Sequence, residues 1–239
     1  PGEQIKLTAE FSISCAKENG MFNVANICSF YNVIDPLARD EAWGEHLTKW
    51  KNEKKTEEEI RFEKKNFDCL DAYRYFKKDK NGEPNEFEFS IQSIGVYTNE
   101  EILQLACMEL KRKCSKLIEG VETHSIPIWP CSETKEMGYG SVIVSTMANS
   151  WDIILEKEDY TMGCMIERIM YTEFFEKTEE MTFVGFKKFH PHDSYSVIRV
   201  AYNSDNMLPV LNTQLIHSIK IAMSWLDTIS SFSEKNGKN

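Results

Sequence analysis

One run, Leu155 to Phe232, switches between the two-residue period of strands and the 3.6-residue period of helices, and this restricts the fold more than any other stretch. A strand-like segment, Trp151-Asp152-Ile153-Ile154-Leu155, leads into it. Glu158-Asp159-Tyr160-Thr161-Met162-Gly163 then reads as a helix start, where Asp159 or Thr161 can offer a side-chain oxygen to unpaired amide N–H groups. Met162, Met165, Ile166, Ile169 and Met170 follow at helical spacing and give that helix one apolar face. Gly163 in its first turn costs about 1 kcal/mol against Ala; it marks either a close backbone approach or a chance residue. Met181 to Lys188 and Ser194 to Tyr202 are strand-like runs on either side of Phe189-His190-Pro191-His192-Asp193. Pro191 cannot donate to a ladder, so the pair reads as a hairpin. Met207 to Phe232 is a long amphipathic helix.

The chain has 239 residues, 41% hydrophobic and 28% charged, which allows one large or two small domains with real cores. Its formal net charge is −10. A phosphate-gripping surface would be basic, so direct nucleic-acid binding is not expected. Lys54-Lys55 and Lys111-Arg112-Lys113 read as solvated faces among acidic neighbours. No apolar run approaches the roughly 20 residues of a membrane span. The seven cysteines are widely spaced, without a Cys-x-x-Cys pair, which suggests free, mostly packed thiols in a reducing compartment. The first residue is Pro1 rather than Met, which reads as a fragment or processed product.

Residues 1 to 34 alternate in strand fashion through Ile5, Leu7 and Ala9, then Ile27, Phe30 and Val33. Residues 37 to 80 predict two or three short helices. Glu57, Glu58 and Glu59 stand in one first turn, where the helix dipole favours them. Trp43, Trp50, Phe62, Phe67, Leu70, Tyr73 and Phe76 are expected to pack this lobe. Lys78 to Pro84 is a loop by its turn residues. Phe87, Phe89, Ile91 and Ile94 form an alternating strand. Asn99 is placed to cap a helix with apolar positions Ile102, Leu103, Ala106, Leu110 and Leu117. Residues 120 to 149, with Pro127, Pro130, Gly138 and Gly140, form a connection in which Val142-Ile143-Val144 is a candidate short strand.

Reactive constellations are few. His190-Pro191-His192 with Asp193 offers a partial metal set, but no further ligand completes a tetrahedral site at usual spacing, and a turn is the preferred reading. Cys164 near a helix N-terminus is a candidate low-pKa thiol, or simply packs. There is no phosphate-binding Gly loop and no assignable acid–base pair. No cofactor or metal is expected.

The strand–helix–strand–strand–helix order resembles the small dimerisation subunits of multisubunit RNA polymerase, the eleventh-subunit and archaeal L type. The signature stands here as Glu158-Asp159-Tyr160-Thr161-Met162-Gly163-Cys164, Val184-Gly185-Phe186-Lys187, His190-Pro191, Val197-Ile198-Arg199-Val200 and the last helix. Tyr160 replaces the family's His and Cys164 its Asn. The earlier part resembles the third-subunit, archaeal D type. Pro1 to Leu7 looks like a strand of its inserted domain, followed by Cys15 to Val24, Phe30-Tyr31 and Asp35-Pro36. Phe87-Glu88-Phe89, a Gly and a Glu-rich helix start look like its return to the dimerisation domain. Residues 87 to 118 and 195 to 232 are also a weak internal repeat of strand, turn and long helix.

The resemblance implies a fusion of both subunit types, similar to the arrangement in African swine fever virus and its relatives, with the N-terminal part of the first half missing. The implied fold is α+β: the polymerase dimerisation fold, an antiparallel sheet with long amphipathic helices, plus a mixed insert lobe. The implied domains are 1–84 (partial insert), 85–119 (closing strand and helix of the first half), 120–149 (connection), 150–232 (second half) and 233–239 (disordered tail). The implied role is a non-catalytic assembly scaffold in transcription. Its partners would be the two largest polymerase subunits and small polymerase subunits. The location would be host cytoplasm, viral factory and virion, or the nucleus if the source is not viral. A free-standing interaction module on the same fold is the alternative.

The interface set expected under this resemblance is Thr161, Met162, Gly163, Met165, Ile166, Arg168 and Ile169, with Leu110 and Leu117 facing Leu215, Ile219, Ala222 and Leu226. Arg168 matches an Arg that contacts the second-largest subunit in the bacterial α family, and Glu167 stands where that family often has another Arg.

Overall fold

The structure, a computed structural model, describes residues 2–131, 135–137, 141–143, 147–204 and 207–236. It divides into two compact units, Pro1–Ile102 and Leu103–Asn239. Both mix helices with antiparallel strands, so the chain is α+β.

The first unit holds an antiparallel ribbon of β1 (Ala25–Asn32) and β2 (Phe87–Ser93), with Phe30 opposite Phe89. Helix α1 (Pro36–Asn52) starts where Asp35 accepts from the Leu37 and Ala38 N–H groups and Pro36 fits the first turn. Helix α2 (Glu57–Asn66) opens with a capping box between Thr56 and Glu59, then widens into a π-type turn (Phe67–Asp71) and ends in a tighter 3₁₀ turn (Ala72–Arg74). The small core is Ala42, Phe67 and Ala72, edged by Trp43 and Tyr75. Phe62, Leu70 and Tyr73, expected inside, are exposed.

The expected first strand is also corrected. Ile5, Leu7, Phe11 and Ile13 alternate, yet residues 2–14 form no strand ladder among the described residues and these side chains are exposed. Alternation supplies an apolar face, but a strand also needs a neighbour for its N–H and C=O groups. The loop at 78–84 does form: Asp79 Oδ1 accepts from Asn81 and Glu83, and Gly82 takes φ +87°.

Helix α3 (Asn99–Glu122) opens with reciprocal bonds between Thr98 and Glu101, so Thr98 rather than Asn99 is the cap; Asn99 Oδ1 instead accepts from Ser93 N–H. The strand before it pairs within the first unit, whereas residues from Leu103 onward belong to the second. Its buried seam is Cys107, Cys114 and Val121, flanked by Leu103, Leu110 and Leu117, a 4-3-4-3-4 spacing; Ala106, expected inside, is exposed. The helix ends with His124 at φ +55°. Ser125 N–H bonds to Gly120 O and His124 N–H to Val121 O, a Schellman arrangement.

The second unit is built on one four-stranded antiparallel sheet, ordered β3 (Ile128–Pro130), β6 (Ser150–Glu156), β8 (Tyr195–Tyr202), β7 (Met181–Lys187). β4 (Lys135–Met137) and β5 (Ser141–Ile143) form a separate ribbon; Val144 lies outside the described residues. The connection is therefore more than a tether: β3 pairs with β6 and Cys131 is buried.

One face of the sheet carries Trp151, Ile153, Leu155, Ile198, Val200 and Tyr202. Helix α4 (Tyr160–Met170) and helix α5 (Leu208–Asn236) share that core. α5 runs through residues 233–236 of the expected tail, and residues 237–239 lie outside the described residues. The opposite face buries Ile154, Tyr195 and Val197 beside Trp129 and Phe189. β8 is thus covered on both sides and reads as a nearly continuous apolar run.

Candidate functional site: the start and outer face of helix α4

Helix α4 is held at its start by the acidic pair that precedes it. Asp159 occupies the N-cap position with extended backbone, and its carbonyl accepts from Gly163 N–H at 3.0 Å. Its side chain makes no capping bond; the carboxylate pairs with the buried Lys188 of the β7–β8 hairpin instead. Glu158 pairs with Lys113 of α3 at 2.8 Å, and Ser196 Oγ donates to the Glu158 carbonyl at 2.9 Å. The two carboxylates therefore tie the helix start to α3 and to the hairpin.

Gly163 is a site of close approach. A Cβ there would fall 2.7 Å from Phe186 Cζ and nearer still to Cε2 and Cδ2. The Phe186 ring, met edge-on by Tyr160 at 5.4 Å between centroids, occupies that space. Only glycine admits it, which explains an unfavourable helix residue in the first turn.

The expected interface residues sort into two groups. Met162, Gly163, Ile166 and Ile169 face inward and are buried, with Met165 packed at their margin. Thr161 and Arg168 face outward. Arg168 lies over the Tyr171 ring at 6.0 Å, a cation–π contact at the outer end of its range. Beside it, burial raises the Glu167 carboxyl pKa, and the Arg168 charge partly offsets the shift. Leu215, Ile219, Ala222 and Leu226 are buried in the same core to which Leu110 and Leu117 contribute from α3. These six build a seam inside the chain rather than a free surface. Lys111 of α3 pairs with Asp227 of α5 at its rim.

Several residues escaped sequence reasoning. Cys107 and Cys114 are seam residues at heptad spacing that were not among the apolar positions expected for this helix. After α4 a π-type turn (Tyr171–Lys177) stacks Tyr171 on Phe175 at 4.8 Å and sets Phe174 edge-on to His217 of α5 at 6.0 Å. A hydrogen-bonded chain runs from buried Tyr202, whose Oη donates to Gln214 Oε1, outward through Gln214 Nε2 to the exposed Glu180. Asp152 and Arg199 face each other across β6 and β8 in a bidentate pair at 2.7 and 2.8 Å.

The remaining chemical candidates resolve in the geometry. His190-Pro191-His192-Asp193 is a turn: Asp193 Oδ2 accepts from His190 N–H, His190 Nδ1 accepts from His192 N–H, and the two imidazoles stack at 5.2 Å. Among the described residues, no group of three or more His, Cys, Asp or Glu is arranged to hold a metal ion. Cys164 is exposed rather than packed. Its pKa is raised, by partial desolvation and by Glu167, so the helix start does not activate it. Among the described residues no helix is long and apolar enough to cross a membrane.

No protein-family model matches the chain, and a search of curated proteins likewise found no match.

Proposed function

We propose that the chain is a non-catalytic assembly subunit of a multisubunit DNA-directed RNA polymerase, uniting third-subunit-like and eleventh-subunit-like elements of the dimerisation fold as a platform for the two largest subunits. The observation that carries this reading is the shared core of the second unit. α3, the closing helix of the third-subunit-like part, brings Cys107, Leu110, Cys114, Leu117 and Val121 into one apolar cluster with α4, α5 and the sheet. Partner halves that pair through their closing helices would merge in this way when fused. The signature elements also do structural work: the acidic pair anchors α4, the Gly admits Phe186, and the His-Pro turn closes the hairpin.

On this reading the platform presents Thr161 and Arg168 outward while the buried members of the set hold the helix rigid. A rigid, pre-organised surface loses little entropy on docking. An outward guanidinium steers and orients an acidic partner. The net charge of −10 suits a subunit that meets other proteins and leaves the template to them. The test is co-expression of the tagged chain with the two largest polymerase subunits from the same source. Retention of both supports the proposal. A chain that binds neither, yet captures unrelated regulatory proteins, fits the free-standing module instead.

A further inference from the structure

A cleft of about 320 Å³ opens in the second unit between α3 and the β6–α4 connection, away from the outer face of α4. Its floor is apolar, made by Leu117, Ile126 and Ile154. Gly120 shapes one end: a Cβ there would lie 2.8 Å from Ile126 Cγ1, so the missing side chain lets Ile126 fold over the helix terminus. The last carbonyls of α3 do not reach into the cleft unpaired, because Gly120 O takes Ser125 N–H at 2.9 Å and Ile126 N–H at 3.2 Å.

The rim is charged. Lys113 is spent on Glu158 and Arg112 on Glu109. Lys116 and Lys157 line the cleft, are exposed, and have no ion pair among the described residues. Lys157 is held by an unusual backbone, φ +58°, with its N–H bonded to Ser194 O at 2.5 Å. In a chain of net charge −10, the cleft lining carries four cations, Arg112, Lys113, Lys116 and Lys157, against two carboxylates, Glu156 and Glu158, and so is locally basic.

We infer that this cleft docks an acidic linear segment of a partner protein, with one apolar side chain on the floor and carboxylates against Lys116 and Lys157. The inference stands apart from the polymerase reading, since it rests on the cleft alone. A nucleic-acid strand fits less well, because no aromatic side chain lines the cleft for base stacking. The volume sits at the low end of small-molecule pockets and suits a single anchor residue with flanking charges.

The test is fluorescence polarisation of the whole chain with a labelled peptide carrying one Leu flanked on both sides by Asp and Glu. Saturable binding that weakens with added salt is expected. Lys116→Glu with Lys157→Glu should weaken it by about ten-fold or more, since reversing two rim charges removes attraction and adds repulsion. Lys116→Gln with Lys157→Gln should give a smaller loss in the same direction, and Lys220→Glu on α5 none. Replacing the peptide Leu by Ser should also weaken binding. Absence of binding, or binding indifferent to both double variants, overturns the inference. So does competition by millimolar inorganic phosphate, which would mean a small-anion site, or equal binding of a labelled single-stranded oligonucleotide with the same lysine dependence.

Discussion

The ring of Phe186 occupies the space that a side chain at Gly163 would fill. A helix-start glycine and a strand aromatic, far apart in sequence, are thereby one packing unit that fixes how closely α4 approaches β7. Gly163→Ala should lower stability by about 1–3 kcal/mol through overpacking, despite a helix-propensity gain of about 1 kcal/mol. In a Phe186→Ala background the same change should be neutral or stabilising. Urea denaturation of the four proteins measures the coupling. Equal effects in both backgrounds would show that the ring is not what forbids the Cβ.

The seam between α3 and α5 predicts graded costs. Leu215 is 1% exposed, so Leu215→Ala should cost about 2–5 kcal/mol. Leu215→Asp should cost at least as much by burying a charge. Leu110, only partly buried, should cost less on truncation to Ala. Melting of Leu215→Asp within a degree or two of the parent chain would remove the seam from the account.

Much of this architecture was legible because periodicity reports faces. Met162, Ile166 and Ile169 were placed inward by spacing alone, and the hairpin followed from Pro191. What escaped depends on partners that periodicity does not encode. Ile5 to Ile13 alternate as a strand would, yet pairing needs a second strand that local sequence cannot name. Phe62 and Tyr73 are apolar enough for a core, but a small lobe closes over Phe67 and leaves them outside. The clash that selects Gly163 arises from a residue on another element. Thr98 was passed over for Asn99 because both can cap, and the reciprocal bond with Glu101 decides between them.

The pair of buried Asp152 and half-buried Arg199 predicts an asymmetry. Asp152→Ala removes the partner of a half-buried guanidinium whose side chain is 23% exposed and should cost about 1.5–3 kcal/mol. Replacing both partners together, as Asp152→Leu with Arg199→Met, should cost less than Asp152→Ala alone. Thermal or denaturant unfolding of the two variants decides it. A double variant worse than the single one would show that the pair contributes more than mutual neutralisation.

The cysteines predict a reactivity pattern and a pH response. Cys15, Cys28, Cys69 and Cys164 are exposed, and Cys107, Cys114 and Cys131 are buried. Iodoacetamide should label the first four in the folded chain and the other three only after denaturation, as read by mass spectrometry. Burial pushes the Cys114 and Cys131 thiols up to about 11 from an ordinary 9.0. The folded state thus retains protons that the unfolded state releases. Their contribution is fully present below pH 9 and is lost as the pH rises through about 11. Stability should fall across that window, and Cys114→Ala with Cys131→Ala should flatten the fall. An unchanged slope would assign the alkaline loss to other groups.

The platform role itself is tested most directly at Arg168. The side chain is exposed, with its guanidinium carbon 6.0 Å from the Tyr171 ring centroid, so Arg168→Glu should leave the circular dichroism spectrum and melting temperature unchanged. In a pull-down with both largest polymerase subunits, the parent chain should retain both, and Arg168→Glu should lose the second-largest while the fold persists. A parent chain that retains neither subunit would contradict the assembly role. Retention of both by Arg168→Glu at parental levels would remove the outer face of α4 from the docking surface.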